Sequence, residues 1–209
     1  VRTAMKLAWS KRGIDAHDAR RMARIFAMEL REPSPWNLRQ LSLEKNSLGD
    51  VGLQTLSYAI STGALAHLTR LTLTSNGIGN DGLVAFSIAL RHGGLPNLEW
   101  LFLNGNQVGD SGLDAFAAMV GSCSGALTKL QQLWLHENEI GDAGVAALMA
   151  PLAKTAALAN LTTLSLDHNR IRRAGATSIV DAIKAGALPK CKNILINDNP
   201  CGTRAEQDV

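Results

Sequence analysis

The residues best suited to chemistry in this sequence form two pairs of neighbours. His136 precedes Glu137, and the pair Asp167 and His168 follows 31 residues later. Two imidazoles and two carboxylates could together hold a metal ion. Polar side chains that decorate a binding face account for the same four residues more simply. We therefore predict no metal and no other cofactor.

Recognisable catalytic motifs are absent from the sequence. The sequence shows no Ser-His-Asp set with a nucleophile elbow, no glycine-rich phosphate loop and no C-x-x-C pair. Its glycines recur with a sequence repeat, so the turns of that repeat explain them. We predict that the protein is not an enzyme and has no small-molecule substrate.

Three large aromatic residues suggest binding instead. Trp100, Phe102 and Trp134 are three of the nine aromatic residues in the chain, and we call them the aromatic cluster. Exposed aromatic groups rimmed by polar side chains are typical of protein interfaces. The alternative is that a neighbouring part of the chain, or an altered bend, covers them. The elements that position them decide whether they share a face.

A repeat of about thirty residues supplies those elements. In each copy, apolar residues are spaced L-x-x-L-x-L and an asparagine follows three positions later, as in residues 130–138. The asparagines are separated by 30, 30, 32, 31 and 30 residues: Asn46, Asn76, Asn106, Asn138, Asn169 and Asn199. A fixed period of this length predicts a solenoid, in which each unit buries its apolar face against its neighbours.

Each repeat is predicted to contain a short strand, a turn and a helix. The strand leucines alternate and point inward, while the asparagine bonds the backbone of its own turn and of the adjacent repeat. Aspartates at the Gly-Asp-x-Gly segment are placed to cap or charge a helix N-terminus; they are Asp50, Asp110 and Asp142, with Asn80 and Asp81 as a variant. Apolar residues at i, i+3 and i+7 form the packed helix faces.

Helix ends are also predicted from the sequence. A glycine followed by a leucine one or two residues later is typical of a helix C-cap, and this pattern occurs at Gly63, Gly93, Gly125 and Gly186. Pro151 is expected to kink or shorten the fifth helix.

The two ends of the chain depart from the repeat. In the first unit Arg12 stands at the asparagine position and Trp9 at a leucine position, so this unit is expected to be a degenerate cap. Trp36 is expected to shield the junction with the first full repeat. The last unit lacks a closing amphipathic helix, so we expect a partner, a neighbour or further sequence to cover it. The predicted divisions are 1–37 for the cap, 38–190 for five repeats, and 191–209 for a truncated repeat and tail.

Stacking the strands in parallel aligns their outward-facing residues in columns. The columns bring the aromatic cluster to the centre of the exposed sheet face, among polar side chains. The predicted partner-binding residues are Trp100, Phe102, Trp134, Arg70, Gln132, Asn104, His136, Glu137 and Asp167.

Composition limits the classes of partner and compartment. The formal net charge of +3 is too small to indicate nucleic-acid binding, and no apolar run is long enough to span a membrane. Basic residues are concentrated in the first unit, where they could steer an acidic partner or simply solvate a helix face. Three cysteines without a pairing framework indicate reduced thiols and an intracellular, by default cytoplasmic, location. The chain begins with Val, which indicates a processed product or fragment, so an organelle stays open as an alternative.

The repeat text resembles the ribonuclease-inhibitor-like class of leucine-rich repeats. Residues 106–112 and 138–144 match its N-x-I-G-D-x-G pattern closely, and the resemblance covers residues 4–202. It implies an α/β fold: a curved, horseshoe-shaped solenoid with a parallel β-sheet on the concave face and helices on the convex face. The links between repeats are long and resemble those of algal and protist proteins. Arg172 and Arg173 replace the Gly-Asp of the pattern.

The resemblance implies a protein-interaction module or a scaffold subunit of a larger assembly. Such a module would bind a protein through the concave sheet or the ends of the solenoid. Two alternatives come from proteins that use the same repeat class. One is a regulator similar to the Ran GTPase-activating proteins, which act through loop residues that no motif assigns here. The other is the sensor region of a NOD-like receptor, which needs a nucleotide-binding domain upstream.

Overall fold

A single parallel sheet of short strands runs through the protein. The computed structural model describes residues 5–28, 37–123, 125–155 and 157–202. Within them, seven strands pair in the order of the sequence, each parallel to the next. The strands are β1 (Met5–Ala8), β2 (Leu38–Ser42), β3 (Arg70–Thr72), β4 (Trp100–Phe102), β5 (Gln132–Trp134), β6 (Thr163–Ser165) and β7 (Asn193–Leu195).

Helices connect the strands and lie side by side along the other face of the solenoid. In the described residues these are α1 (Ala16–Met28), α2 (Gly49–Ser61), α3 (Asn80–Arg91), α4 (Asp110–Ser122), α5 (Asp142–Leu152) and α6 (Arg173–Lys184). Each helix from α1 to α5 contacts the helix of the next repeat. Packed helices lie about 8–10 Å apart and paired strands about 4.8 Å apart. The stack therefore curves with the sheet on its concave side, as the fold prediction states.

The core lies between the sheet and the helices. Its strand side consists of the repeated leucines, such as Leu71, Leu101 and Leu133, each fully buried. The predicted helix faces are buried too, with Phe86 and Phe116 as the largest side chains. Period-two strands and period-3.6 helices thus meet in one continuous apolar layer, as the sequence predicts.

The asparagines form a ladder between neighbouring repeats. The side-chain amide of Asn106 donates to the carbonyl oxygens of Leu73 and Leu103, at 3.1 and 2.8 Å. Its Oδ1 accepts from the backbone amides of Asn76 and Ile78, at 2.9 and 3.1 Å. Each buried amide is therefore tied to its own turn and to the previous repeat, as expected.

The ladder is interrupted at one position. Asn76 Oδ1 is buried and has no hydrogen-bond partner among the residues that the structure describes. In the preceding unit Leu48 already has helical backbone angles, and Gly49 has φ +57° and donates to the backbone oxygen of Asn76. The early start of α2 thus takes away the amides that would bond Asn76 Oδ1.

Capping of the helices differs from the simplest expectation. The N-cap residues of α4 and α5, Gly109 and Gly141, make no side-chain capping bond. Instead, Asp142 Oδ1 accepts from the backbone amides of Arg172 and Gly175, at 2.7 and 2.8 Å, at the start of the next helix. Asp50, Asn80 and Asp110 act likewise. The predicted caps therefore exist, but each caps the following repeat.

The predicted helix ends are correct at three glycines and wrong at the fourth. Gly63, Gly93 and Gly186 have φ of +80°, +78° and +91° immediately after the C-cap residue. By contrast, α4 ends at Ser122, and Gly125 lies beyond it without a left-handed conformation. Pro151 shortens its helix as predicted: α5 has 11 residues and ends one residue after the proline.

The ends of the described chain are less regular. Trp9 is partly buried against the core, and Arg12 is exposed. Trp36, and the prolines expected to break the first helix, lie outside the described residues, as does the tail 203–209. At the other end, Cys191, Ile194 and Ile196 are only partly buried.

The cysteines and the helix lengths complete the fold. Cys123, Cys191 and Cys201 are free thiols, and burial raises the pKa of the Cys191 thiol, which holds it in its neutral form. Among the helices in the described ranges, none combines the length and apolar character needed to cross a membrane.

Candidate functional site

The strand register stacks the predicted binding residues side by side. Arg70 pairs with Trp100, which pairs with Gln132 in the next strand. Phe102 pairs with Trp134 in the same way. The leucine between these positions points into the core, so its neighbours on both sides project from the opposite, concave face.

Arg70 lies against the aromatic cluster. Its guanidinium carbon is 3.6 Å from the ring centroid of Trp100 and 5.7 Å from that of Phe102. This is cation–π geometry. Burial disfavours the charged form and lowers the pKa of Arg70 from its usual value, but a guanidinium still stays charged near neutral pH.

Two N–H groups at this contact have no acceptor. Arg70 Nε and Trp100 Nε1 are both shielded from solvent, and neither has a hydrogen-bond partner in the part of the chain that the structure describes. Buried donors are normally satisfied, so each such group needs an explanation.

The cluster continues without a gap towards β6. The Phe102 and Trp134 rings are stacked, with centroids 5.9 Å apart and planes at 12°. The His136 ring meets Trp134 edge-on at 5.7 Å and 78°. Gln132 Oε1 accepts a 3.1 Å hydrogen bond from Trp134 Nε1, which fixes the indole. All three cluster residues are partly exposed.

Polar side chains beside the cluster are held by their neighbours. Asn104 Oδ1 accepts a 2.9 Å hydrogen bond from the Thr74 hydroxyl. Asp167 Oδ1 accepts two bonds from Asn197, through its backbone amide at 2.8 Å and its side-chain amide at 2.9 Å. These contacts join adjacent repeats and already order the surface in the free protein. Little further conformational entropy would therefore be lost on binding.

Ser165 is buried although its column faces outward. It pairs with Trp134 in the strand register, but the structure buries it completely, at 0% exposure. Its hydroxyl donates to Asp167 Oδ2 at 3.0 Å and lies 3.2 Å from His136 Nδ1. Because the Ser165 hydroxyl donates its hydrogen bond to Asp167, it acts as the acceptor towards His136. Nδ1 of His136 therefore carries the imidazole proton in this arrangement.

The three groups do not form a nucleophilic triad. In that arrangement the imidazole lies between the hydroxyl and the carboxylate and removes the hydroxyl proton. Here the hydroxyl lies in the middle and is buried. The geometry fixes the His136 ring against Trp134 rather than activating Ser165.

The remaining predicted residues are dispersed. Glu137 is exposed and takes part in none of the ion pairs that the described residues form. His168 Nε2 lies 3.3 Å from Asp198 Oδ2. Within the described ranges no three His, Cys, Asp or Glu residues are grouped closely enough to hold a metal ion.

Sequence reasoning missed two features of the surface. The first is the stack of Arg70 on Trp100, although their adjacent positions in one column are visible in the repeat alignment. The second is the role of Ser165 and Asn197 in holding His136 and Asp167. Polar residues in neighbouring columns give a weak signal for such bonds.

Comparison with known proteins identifies the repeat. A family model described as "Leucine Rich repeat" matches five segments that together cover more than half of the chain: 37–57, 64–87, 94–117, 126–149 and 157–180. No curated protein matches the chain in sequence. Among solved structures, the crystal structure of a TDR receptor is similar over 78% of this chain, with 18% identity and a TM-score of 0.37. The match covers 26% of the receptor chain, so this chain spans about a quarter of that protein's length.

Proposed function

We propose, because this chain belongs to the leucine-rich-repeat family, that it binds a protein partner through the concave face of its sheet. Leucine-rich repeats build protein-interaction modules, whose extended concave surfaces bind partners. The binding residues in this proposal are the aromatic cluster and its neighbours Arg70 and His136. The protein would work within a larger assembly and would not be an enzyme.

One observation carries the proposal: an unbroken run of ring and guanidinium contacts crosses three adjacent strands. The guanidinium of Arg70 contacts the rings of both Trp100 and Phe102. From Phe102 the contacts continue to Trp134 and then to His136. Aromatic residues and arginine are the side chains most enriched at the centres of protein interfaces. Mutual stacking already restricts their rotamers, so binding would cost less conformational entropy here than at isolated surface side chains.

The surrounding groups support binding rather than catalysis. Buried Ser165 holds His136, and Asn197 holds Asp167, so the titratable side chains near the cluster are tied into structural contacts. A rigid polar rim around an aromatic centre is the usual anatomy of an interface.

The thiols support a reducing compartment. All three cysteines are free thiols, which is the usual state in a reducing compartment. We place the protein inside the cell on this basis, with the cytoplasm as the default location.

The test is purification of the tagged protein from its native cells, with chemical cross-linking and mass spectrometry. The variant is Phe102→Ala combined with Trp134→Ala. Tyr58→Ala is the matched control, because Tyr58 is an aromatic residue on the helical face with 68% exposure. Circular dichroism must show that all three proteins fold alike.

The proposal expects a specific partner that the double variant loses and the Tyr58 variant keeps. Cross-links should involve Lys45, at the end of the concave strand β2. A partner that the double variant retains, with cross-links confined to Lys154 and Lys184 on the helical side, would contradict the proposal.

A further inference from the structure

We propose that the partner binds as an extended segment that places an acidic side chain against Arg70 and an apolar side chain on the Phe102–Trp134 stack. This inference rests on the proposed function and specifies the chemistry of the partner. It follows from the charge of Arg70, the N–H groups of its guanidinium and the spacing of the rings.

Arg70 carries its positive charge among neutral neighbours. Its neighbours in the register are Gln40 and Trp100, which are both uncharged. None of the ion pairs formed by the described residues includes Arg70. A guanidinium packed against a ring has lost part of its hydration, and that loss is costly unless an acceptor replaces the water. A carboxylate from the partner would supply that acceptor.

Stacking on Trp100 restricts the guanidinium of Arg70, whose carbon lies 3.6 Å from the ring centroid. Its Nε is buried and has no partner among the described residues, so an incoming acceptor would reach the terminal N–H groups. Arginine makes planar, charge-assisted contacts with carboxylates through such groups.

The number of charges favours a carboxylate over a phosphate. The residues paired with Arg70 in the register are neutral, and the next cation of the same column, Lys6, lies two strands away on the far side of Gln40. A single guanidinium matches one negative charge. A phosphorylated side chain carries nearly two negative charges and is usually bound by several basic residues.

The distances fit an extended segment that crosses the strands. The Arg70 guanidinium carbon is 5.7 Å from the Phe102 ring, whose centroid is 5.9 Å from that of Trp134. In an extended chain, side chains two residues apart lie on the same face and about 6.6 Å apart. The acidic and apolar side chains should therefore lie about two residues apart in the partner.

A random 12-residue peptide library displayed on phage, selected on the intact protein, tests the inference. Peptides selected on the natural protein should be enriched in Asp or Glu about two positions from an aromatic residue or leucine. Changing that acid to its amide should weaken binding by about 10-fold or more to the natural protein, but by about 2-fold or less to Arg70→Gln.

Charge reversal gives an independent readout. Selection on Arg70→Glu should replace the acidic preference by a preference for Lys or Arg, whereas selection on Arg24→Glu should not. Arg24 is an exposed residue of α1, so its reversal changes the net charge equally. If the Gln or Glu variant folds poorly, Arg70→Lys is used instead. This variant keeps the charge and should keep the acidic preference.

The outcomes separate this inference from the proposed function. Peptides that bind the natural protein but not Phe102→Ala/Trp134→Ala, with no acidic preference and no response to Arg70→Glu, would overturn only the inference. Much tighter binding when phosphoserine replaces the acid would overturn the choice of a carboxylate. Selected peptides that bind the double variant equally well, or failure to select any peptide, would count against the proposed function itself.

Discussion

Asn80 Oδ1 accepts a hydrogen bond from the backbone amide of Gly112, 3.0 Å away and one repeat further along the chain. The same oxygen accepts from Gly109 at 2.8 Å. Together with Asp50, Asp110 and Asp142, it forms a second ladder beside that of the asparagines. The starts of α3, α4, α5 and α6 are therefore each stabilised by the repeat before them, which is the nearest-neighbour coupling expected of a solenoid.

Replacing Asp142 by Ala should loosen α6 rather than α5. The amides of Arg172 and Gly175 would lose their acceptor, at a cost of about 1 kcal/mol in the stability of that helix start. Hydrogen exchange followed by mass spectrometry should show faster exchange at residues 172–176. Asp81→Ala is the control, because Asp81 is an exposed acidic residue in the first turn of α3. Faster exchange in α5 instead would show that Asp142 acts on its own helix.

Gly112 should not tolerate a side chain. A Cβ there would lie 2.7 Å from Asn80 Oδ1 and 3.1 Å from the Asn80 backbone. We expect Gly112→Ala to lower the free energy of unfolding by about 1–3 kcal/mol, as over-packing does. Urea unfolding would measure the loss.

The matched control for this change is Gly125→Ala. A Cβ at Gly125 would meet nothing within 4 Å, and its φ is not in the left-handed region. The free energy of unfolding of the Gly125→Ala variant should stay within about 0.5 kcal/mol of that of the natural protein. Equal losses in the two variants would mean that close approach of neighbouring repeats is not the reason for the glycine.

The two adjacent ladder asparagines should differ in their contribution to stability. Asn106→Ala removes an acceptor from the amides of Asn76 and Ile78 and leaves both donors buried. In Asn76→Ala no backbone amide of the described residues loses its acceptor, because the Oδ1 of Asn76 accepts no hydrogen bond from them. We expect Asn106→Ala to lower the free energy of unfolding by about 2 kcal/mol more than Asn76→Ala does. Similar urea midpoints for the two variants would contradict the interruption of the ladder.

The sequence predicts the architecture well because the environment of each position recurs. A leucine at every second strand position and an asparagine three residues later specify one buried strand and one turn, and six copies of the asparagine leave little choice of register. The packed helix faces follow from the same periodicity. These features depend on the spacing within one repeat.

Features that depend on contacts between repeats were harder to predict. The sequence places Asp110 near a helix start, but only the offset of stacked units directs its side chain to Gly141 of the next helix. Ser165 occupies an outward-facing column, yet His136 and Asp167 bond to it and it is buried. Gly125 follows the C-cap pattern, but α4 already ends at Ser122, so Gly125 does not terminate that helix. The aromatic cluster was predicted as a group, and its contact with Arg70 was not.

Asp15 should make the first helix sensitive to acid. Its carboxylate accepts from the backbone amides of Asp18 and His17, at 3.0 and 2.8 Å. These bonds hold the pKa of Asp15 below its usual value of 3.8. Because the folded-state pKa is the lower one, the cap stabilises α1 fully above the unfolded-state pKa. The stabilisation is lost as the pH falls through the folded-state pKa.

Backbone chemical shifts should therefore report fraying at the start of α1 as the pH falls from about 5 to about 2. Asp15→Asn is the matched variant, because an asparagine side chain still accepts the capping bonds but does not titrate. Its α1 signals should change little over the same range. Equal fraying in both proteins would assign the effect to a group other than Asp15.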